Sequence, residues 1–127
     1  MLVIDDDPSV REVVSYLLVS FGYDCETATD GAAGVARFDE GGWDVVLTDL
    51  AMPEMNGWEV AEAIRRRSPT MPIVLVTGLS GPEVIRRAGE RGLQVVPKPF
   101  RSEMLRAVVA QALQASPSFD PSFSPQN

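Results

Sequence analysis

Hydrophobic and polar positions follow two different periods along this chain. Four short apolar runs are typical of buried strands: 2–5, 44–48, 73–76 and 94–96. A fifth run, at 24–28, is more polar and is typical of an edge strand. Between them, apolar residues recur at helical spacing over 8–21, 31–40, 57–67, 82–91 and 102–114. Five strand–helix units predict a single doubly wound α/β domain, in which helices cover both faces of a five-stranded parallel sheet.

Residues at the ends of these segments support the boundaries. Asp7 and Asp30 are expected to cap the first and second helices, and Gly41 and Gly42 to end the second. We expect the flavodoxin-like strand order 2-1-3-4-5, which places the first and third strands side by side.

The end of the chain differs in composition from the rest. Proline and serine dominate residues 116–127, where the unit Pro-Ser-Phe occurs at 117–119 and again at 121–123. Two copies are too few to indicate a repeat architecture. We therefore expect a folded domain over 1–115, followed by a disordered tail or truncated linker over 116–127.

Charge and composition exclude several classes of function. The net charge of −7 opposes binding to the phosphate backbone of a nucleic acid. Histidine is absent, which excludes His-based acid–base catalysis, Ser–His and Cys–His nucleophiles and most zinc sites. The single Cys25 fits a reducing compartment, and neither a signal peptide nor an apolar run of membrane-spanning length is present. These features predict a soluble cytoplasmic domain that does not associate with membranes.

Aspartates follow two strands that the predicted fold brings together. Asp5 and Asp6 end the first strand, and Asp49 ends the third. Because the ligand site of an open α/β sheet lies at the carboxyl ends of its strands, these side chains are expected to converge. Like charges that close require a cation between them, and a ligand set made only of oxygen suggests Mg²⁺.

Two further polar residues end the fourth and fifth strands at the same edge. Thr77 offers a hydroxyl donor, and Lys98 offers a mobile ammonium that neutralises negative charge. With a metal ion on Asp6 and Asp49, and Asp5 holding a coordinated water, Asp49 is placed to attack phosphorus as a nucleophile. This inventory predicts a phosphoryl-transfer site.

Four motifs in this order resemble those of one known family. They are an acidic-pair strand, a phospho-acceptor loop, a strand with a switch threonine and a lysine-proline-phenylalanine turn: 3–7, 48–57, 76–78 and 97–100. Over about residues 1–115 the chain resembles the receiver domain of two-component response regulators, the CheY-like superfamily.

The resemblance implies a signalling switch rather than an enzyme with an external substrate. Asp49 would accept a phosphoryl group from a phosphohistidine on a sensor histidine kinase or a histidine phosphotransfer protein, since this chain has no histidine of its own. The backbone carbonyl of Ala51 would join Asp6 and Asp49 as a ligand of Mg²⁺. The Lys98–Pro99 peptide bond would be cis.

The resemblance also implies how phosphorylation is read. Thr77 would move inward, and the fourth helix, fifth strand and fifth helix would change shape. This face would then contact a downstream effector protein or form a homodimer. The family usually carries an aromatic residue three positions before the lysine, but Val95 stands there in this chain and has no ring to swing inward.

Small and apolar residues flank the predicted acceptor. Gly78 would leave the phosphoryl donor access to the site. Ala51 and Leu79 lie two positions after Asp49 and Thr77, respectively. Neither side chain can hold a hydrolytic water by hydrogen bonding. We therefore expect slow self-dephosphorylation.

Two other functions share parts of this pattern. A Mg²⁺-dependent phosphatase that forms an aspartyl phosphate is one alternative, but such enzymes resemble a D-x-D-x-T pattern after the first strand. Here the acids are adjacent, and the predicted nucleophile follows the third strand. A flavodoxin is the other alternative, but its phosphate loop needs hydroxyl and glycine residues where this chain has three aspartates.

Two groups of arginines have no place in this chemistry. The run at 65–67 is interpreted as the solvated end of the third helix, where the helix dipole favours positive charge. Arg86, Arg87 and Arg91 on the fourth helix are solvated or bind a partner. Trp58 is expected to pack against the core.

Overall fold

The computed structural model of the chain describes residues 1–114, so the predicted tail at 116–127 lies outside them. Strands and helices alternate as predicted, and their ends lie within two residues of the predicted ones. The elements are β1 (Leu2–Ile4), α1 (Pro8–Ser20), β2 (Glu26–Ala28), α2 (Gly31–Phe38), β3 (Val46–Thr48), α3 (Gly57–Arg67), β4 (Ile73–Thr77), α4 (Pro82–Glu90), β5 (Gln94–Pro97) and α5 (Ser102–Gln114).

All neighbouring strands are parallel, and their order is β2-β1-β3-β4-β5. The predicted doubly wound order is therefore confirmed. β1 lies between β2 and β3, and Ile4 pairs with Ala28 on one side and Thr48 on the other. The residues that follow, Asp5 and Asp49, consequently leave two adjacent strands at the same edge of the sheet.

The start of β1 sets the length of its two neighbours. Leu2 pairs with Glu26 in β2 and with Val46 in β3. The paired positions of β2 and β3 begin here, although the Leu2 N–H still donates to the carbonyl of Val45 (3.1 Å). The strands predicted over 24–28 and 44–48 therefore each begin two residues later than expected.

Side chains of the sheet alternate between two hydrophobic layers. Leu2 and Ile4 point into one layer, which α2, α3 and α4 cover, and Val3 points into the other, which α1 and α5 cover. Burial on both faces explains why β1, β3 and β4 are continuous apolar runs rather than alternating ones. Trp58 is half-buried and packs against the layer under α3, as predicted.

Side chains cap the first three helices. The side chain of Asp7 accepts a hydrogen bond from the Ser9 N–H, and that of Asp30 accepts one from the Ala33 N–H, as predicted. α3 begins with a reciprocal capping box between Asn56 and Glu59. The longest helices have 13 residues, and within residues 1–114 no helix has the length and apolar character needed to cross a membrane.

Arg65 differs from the prediction, because it is half-buried rather than solvated. Its Nε donates to the carbonyl of Met71 (2.8 Å), and its terminal nitrogens donate to the carbonyls of Arg91 (2.9 Å) and Gly92 (3.2 Å). Burial lowers the pKa of the Arg65 guanidinium. The turn between α4 and β5 thus lies against the end of α3, which the local sequence did not reveal. Arg66 is exposed, as predicted.

Candidate functional site

Three carboxylates converge at the edge of the sheet where β1 and β3 end. One oxygen from each of Asp5, Asp6 and Asp49 lies within 4.8 Å of the others. Asp5 and Asp49 are buried, whereas Asp6 is exposed. The strand register brings these residues together although more than forty positions separate Asp5 from Asp49. The predicted convergence is therefore present.

Hydrogen bonds fix the position of Asp49. Its backbone N–H donates to the carbonyl of Ile4 (2.9 Å), which continues the pairing of β1 with β3 by one residue. Its Oδ1 accepts from the N–H of Leu50 (2.7 Å). Its Oδ2 faces the ammonium of Lys98 at 3.5 Å. One oxygen of this carboxylate is thus held by the backbone, and the other faces the charged centre of the site.

The environment of Asp5 opposes its ionisation. Burial is the largest effect and raises the pKa of this carboxyl group, and the charge of Asp49 acts in the same direction. Two contacts act the other way: the Asp7 N–H donates to Oδ1 (2.9 Å), and the Lys98 ammonium lies 3.3 Å from Oδ2. The guanidinium of Arg11 donates to the backbone carbonyl of Asp5 (2.8 Å) and so anchors the start of the acidic loop.

Lys98 joins the two buried carboxylates. Its Nζ lies 3.3 Å from Asp5 and 3.5 Å from Asp49, and about a fifth of its side chain is exposed (22%). The Lys98–Pro99 peptide bond is cis, as the resemblance implied. The backbone N–H of Lys98 donates to the carbonyl of Thr77 (2.9 Å). Lys98 and Thr77 therefore end neighbouring strands at the edge that carries the acids.

Thr77 is fully buried, and its hydroxyl oxygen accepts a hydrogen bond from the N–H of Leu79 (3.0 Å). The hydroxyl hydrogen remains available to a further acceptor. Leu79 and Ala51 are exposed beside the site, and a Cβ added to Gly78 would meet no atom within 4 Å. These small or exposed residues leave space around the threonine and the acceptor loop.

Gly57 has a part in the site that the sequence did not single out. A Cβ on Gly57 would lie 2.4 Å from the carbonyl oxygen of Asp49 and 2.8 Å from Cα of Leu50. Its N–H donates to the Leu50 carbonyl (2.8 Å). Only glycine allows the loop that begins at Asp49 to return this closely. The Asn-Gly pair at the start of α3 was the available signal.

The acidic cluster fits a divalent cation with a preference for oxygen ligands. Three carboxylates face a single ammonium, that of Lys98, so negative charge exceeds positive charge at this edge. Their oxygens are close enough to share one ion, and carboxylate oxygens are the donors that Mg²⁺ prefers. The residues present therefore suit Mg²⁺, which receiver domains generally bind.

Comparison with known proteins agrees with this geometry. The family model for the response regulator receiver domain matches residues 1–110. The sensor histidine kinase RcsC of Salmonella typhimurium is 34% identical over 111 residues, which are 87% of this chain and 12% of that protein. The sensory transduction protein RegX3 of Mycobacterium tuberculosis is 34% identical over 116 residues, which are 90% of this chain and 50% of that protein.

Solved structures agree with the same family. The chemotaxis response regulator CheY4 of Vibrio cholerae superposes with a TM-score of 0.81 at 34% identity, over 88% of this chain and 96% of that one. The chain spans half or less of the two curated relatives named above. The structure of residues 1–114 and the proteins named above give no support to the alternative function of a phosphatase. The chain belongs to the family of response regulator receiver domains, which accept phosphoryl groups in two-component signalling.

Proposed function

We propose that Asp49 is the residue that accepts the phosphoryl group, and that Thr77 and Lys98 assist the transfer. The observation that carries this proposal is the bridge that Lys98 makes between Asp5 and Asp49, beside the exposed carboxylate of Asp6. Phosphoryl transfer depends mainly on positioning and on neutralising charge. This cluster supplies both at the edge of the sheet where β1, β3 and β5 end.

The donor is a phosphohistidine on a partner, either a sensor histidine kinase or a histidine phosphotransfer protein. A carboxylate oxygen of Asp49 forms a bond to phosphorus as the bond between phosphorus and the histidine nitrogen breaks. The electron pair of the broken bond stays on that nitrogen, which belongs to the partner because this chain contains no histidine. The product is an aspartyl phosphate on this chain and a free histidine on the donor.

The surrounding residues have distinct roles in this step. Asp6, Asp49 and the carbonyl of Ala51 would hold Mg²⁺, and Asp5 would hold a water bound to it. When bound, Mg²⁺ neutralises phosphoryl oxygens and orients the group for in-line transfer. The ammonium of Lys98 neutralises a further oxygen, while the hydrogen of the Thr77 hydroxyl is free to bond to the transferred group.

The folded receiver unit covers residues 1–115, and its output face consists of α4, β5 and α5. The added charge draws Thr77 inward and shifts the population of this face toward an active arrangement. Val95 is half-buried in β5 and packs against the hydrophobic layer under α3 and α4, without an aromatic ring to swing inward. An effector protein or a second copy of the chain reads the face. The domain turns over no external substrate and acts in the cytoplasm.

Phosphorylation by a small donor tests this proposal. Incubation with acetyl phosphate and MgCl₂ should add the mass of one phosphoryl group to the wild-type protein and to Asp44→Ala, which removes an exposed carboxylate before β3. The Asp49→Ala variant should gain no mass, and EDTA should prevent the gain in all samples. A phosphoryl adduct on Asp49→Ala, or none on the wild type, would contradict the assignment.

A further inference from the structure

A groove within residues 1–114 lies between α3 and α4, away from the acidic cluster. Its volume is about 660 Å³, and none of the three clustered aspartates lines it. Four arginines and two glutamates line this groove together with Trp58 and Leu93. We call it the α3/α4 groove. It lies on the α3 side of α4, and neither the sequence motifs nor the phosphoryl chemistry accounts for it.

The arginines of the α4 wall carry charge that the described residues do not neutralise. Arg87 and Arg91 are exposed, and neither forms an ion pair with a carboxylate of residues 1–114. Arg86, beside them on the same helix, pairs with Glu83 (3.2 Å) and Glu90 (2.8 Å) and does not line the groove. The groove thus concentrates free positive charge on a chain whose net charge is −7.

Trp58 holds these two guanidinium groups in place. The central carbon of Arg87 lies 4.4 Å from the centre of the indole ring, and that of Arg91 lies 5.5 Å from it. A guanidinium stacked on an aromatic face keeps its N–H edges accessible to a carboxylate. One terminal nitrogen of Arg91 donates to the Arg87 carbonyl (3.3 Å), and its other terminal nitrogen makes no hydrogen bond within residues 1–114. Arg65 also donates to the carbonyl of Arg91, which fixes the backbone there. The two cations are therefore ordered before any ligand binds, which reduces the entropy lost on binding.

We propose that the α3/α4 groove binds an extended acidic peptide segment of a partner protein. Arg87 lies in the last turn of α4, and Arg91 caps the helix four residues later, which is a spacing of about 6 Å along its axis. Alternate residues of an extended peptide are separated by about 6.6 Å and point to the same side. Carboxylates at alternate positions of the peptide therefore match the two guanidinium groups.

The opposite wall of the groove defines the other positions of the peptide. Glu59 and Glu62 lie on α3 and would repel a second row of acidic side chains. Glu62 already pairs with Arg66 at 3.3 Å, and Glu59 takes part in the capping box of α3. The residues between the two carboxylates are consequently neutral or apolar. This alternation distinguishes the ligand from a uniformly charged polyanion.

A labelled synthetic peptide of alternating glutamate and leucine is the probe, and the same peptide with glutamine in place of glutamate is its neutral counterpart. In a Trp43→Phe background, Trp58 is the remaining tryptophan. We expect the acidic peptide to change Trp58 fluorescence saturably and the glutamine peptide to leave it unchanged. Equal binding of both peptides, or binding of neither, would overturn the proposal.

Arginine variants on α4 and at its C-cap supply the matched control. We expect Arg87→Gln and Arg91→Gln each to weaken binding of the acidic peptide about tenfold, as for the loss of a charged hydrogen-bonded pair. Arg86→Gln removes the same charge outside the groove, so affinity should change by less than about twofold. Unfolding in urea should verify that each variant remains folded. Equal losses in all three variants would indicate attraction by net charge alone and overturn the proposal.

Two further measurements distinguish a peptide site from a phosphate site and from the acceptor site. Inorganic phosphate and ATP, matched in ionic strength with NaCl, should not displace the peptide beyond the effect of NaCl. Specific displacement by either would make the groove a phosphate site and refute a peptide site. Asp49→Ala should bind the peptide with wild-type affinity, because the groove does not include the acceptor. Failure of phosphorylation and failure of peptide binding are therefore observed independently.

Discussion

Gly57 lies so close to Asp49 that a Cβ on the glycine would be 2.4 Å from the carbonyl oxygen of the aspartate. The obstructing atoms belong to the backbone, so a rotamer change cannot relieve the contact. The first residue of α3 therefore determines how closely the acceptor loop folds back on itself.

Replacement of Gly57 by alanine should disturb both stability and phosphorylation. We expect a loss of roughly 1–3 kcal/mol in the free energy of unfolding, the usual range for overpacking, together with slower labelling by acetyl phosphate. Gly89→Ala is the control, because a Cβ there meets nothing within 4 Å and alanine favours the helix by up to about 1 kcal/mol. Urea unfolding and mass spectrometry measure the two effects. If Gly57→Ala were as stable as the wild type, the loop that begins at Asp49 would be able to move away from the added Cβ, and the prediction would be wrong.

Replacement of Asp5 by asparagine should stabilise the metal-free protein at neutral pH. Burial raises the pKa of Asp5, so its ionised form costs folding free energy above that pKa. We expect Asp5→Asn to be more stable by roughly 1 kcal/mol, the typical size of a single-residue effect. Because the pKa is raised, the Asp5 carboxyl group of the wild type becomes neutral as the pH falls. The difference in unfolding free energy between Asp5→Asn and the wild type should therefore shrink at low pH.

Addition of Mg²⁺ should reverse the order of the two proteins. An ion at 100 times its Kd stabilises the wild type by about 2.7 kcal/mol, and Asp5→Asn should gain less. Thermal or urea unfolding with EDTA and with MgCl₂ measures both effects, and Asp44→Asn serves as the exposed control. An equal gain for Asp5→Asn and wild type would remove Asp5 from the metal site.

The phosphoryl group should be lost faster when Ala51 is replaced by asparagine. Ala51 is exposed beside the acceptor loop and offers no side-chain hydrogen bond to an attacking water. We expect Ala51→Asn to shorten the half-life about tenfold, which is roughly 1.4 kcal/mol in the barrier. The decay of the phosphorylated mass after removal of the donor provides the measurement. Ala107→Asn, on an exposed position of α5, should decay like the wild type. An unchanged rate of dephosphorylation in Ala51→Asn would show that the residue at this position does not control the lifetime of the phosphoryl group.

Loss of the Arg65 guanidinium should loosen the turn between α4 and β5. The side chain donates to three backbone carbonyls, so Arg65→Gln should lower the free energy of unfolding by roughly 1–3 kcal/mol. Amide hydrogen exchange should increase at Leu93 and its neighbours. Arg66→Gln removes an exposed charge from the adjacent position. This variant should keep the free energy of unfolding within about 0.5 kcal/mol of the wild type and leave amide hydrogen exchange at Leu93 unchanged. Unchanged exchange in Arg65→Gln would mean that the turn is ordered without it.

The sequence predicted most of the sheet and the meeting of the acids, because both follow from rules that act along the chain. Apolar runs of strand length define the sheet, and the carboxyl ends of parallel strands share one edge. Asp5 and Asp49 are therefore brought together by topology. Their burial and the two distances to Lys98 come from packing, which a pattern of residues does not provide.

The sequence did not predict contacts that depend on the approach of two distant loops. Arg65 stands in a run of three arginines that has the pattern of a solvated helix end, yet it binds carbonyls 26 and 27 residues away. The contact of Gly57 with Asp49 and the stacking of Arg87 on Trp58 are of the same kind. Such contacts require the three-dimensional path of the backbone, which local periodicity does not describe.

Contacts at both ends of β5 lead back to the same residue, Asp49. At one end of the strand, Lys98 contacts Asp49 at 3.5 Å. At the other end, Gly92 accepts a hydrogen bond from Arg65, which belongs to α3, and α3 returns to Asp49 through Gly57. The part of α3 between Gly57 and Arg65 is a rod about 12 Å long. Both ends of β5 are therefore connected to the loop that begins at Asp49, and neither connection uses an aromatic side chain within the strand.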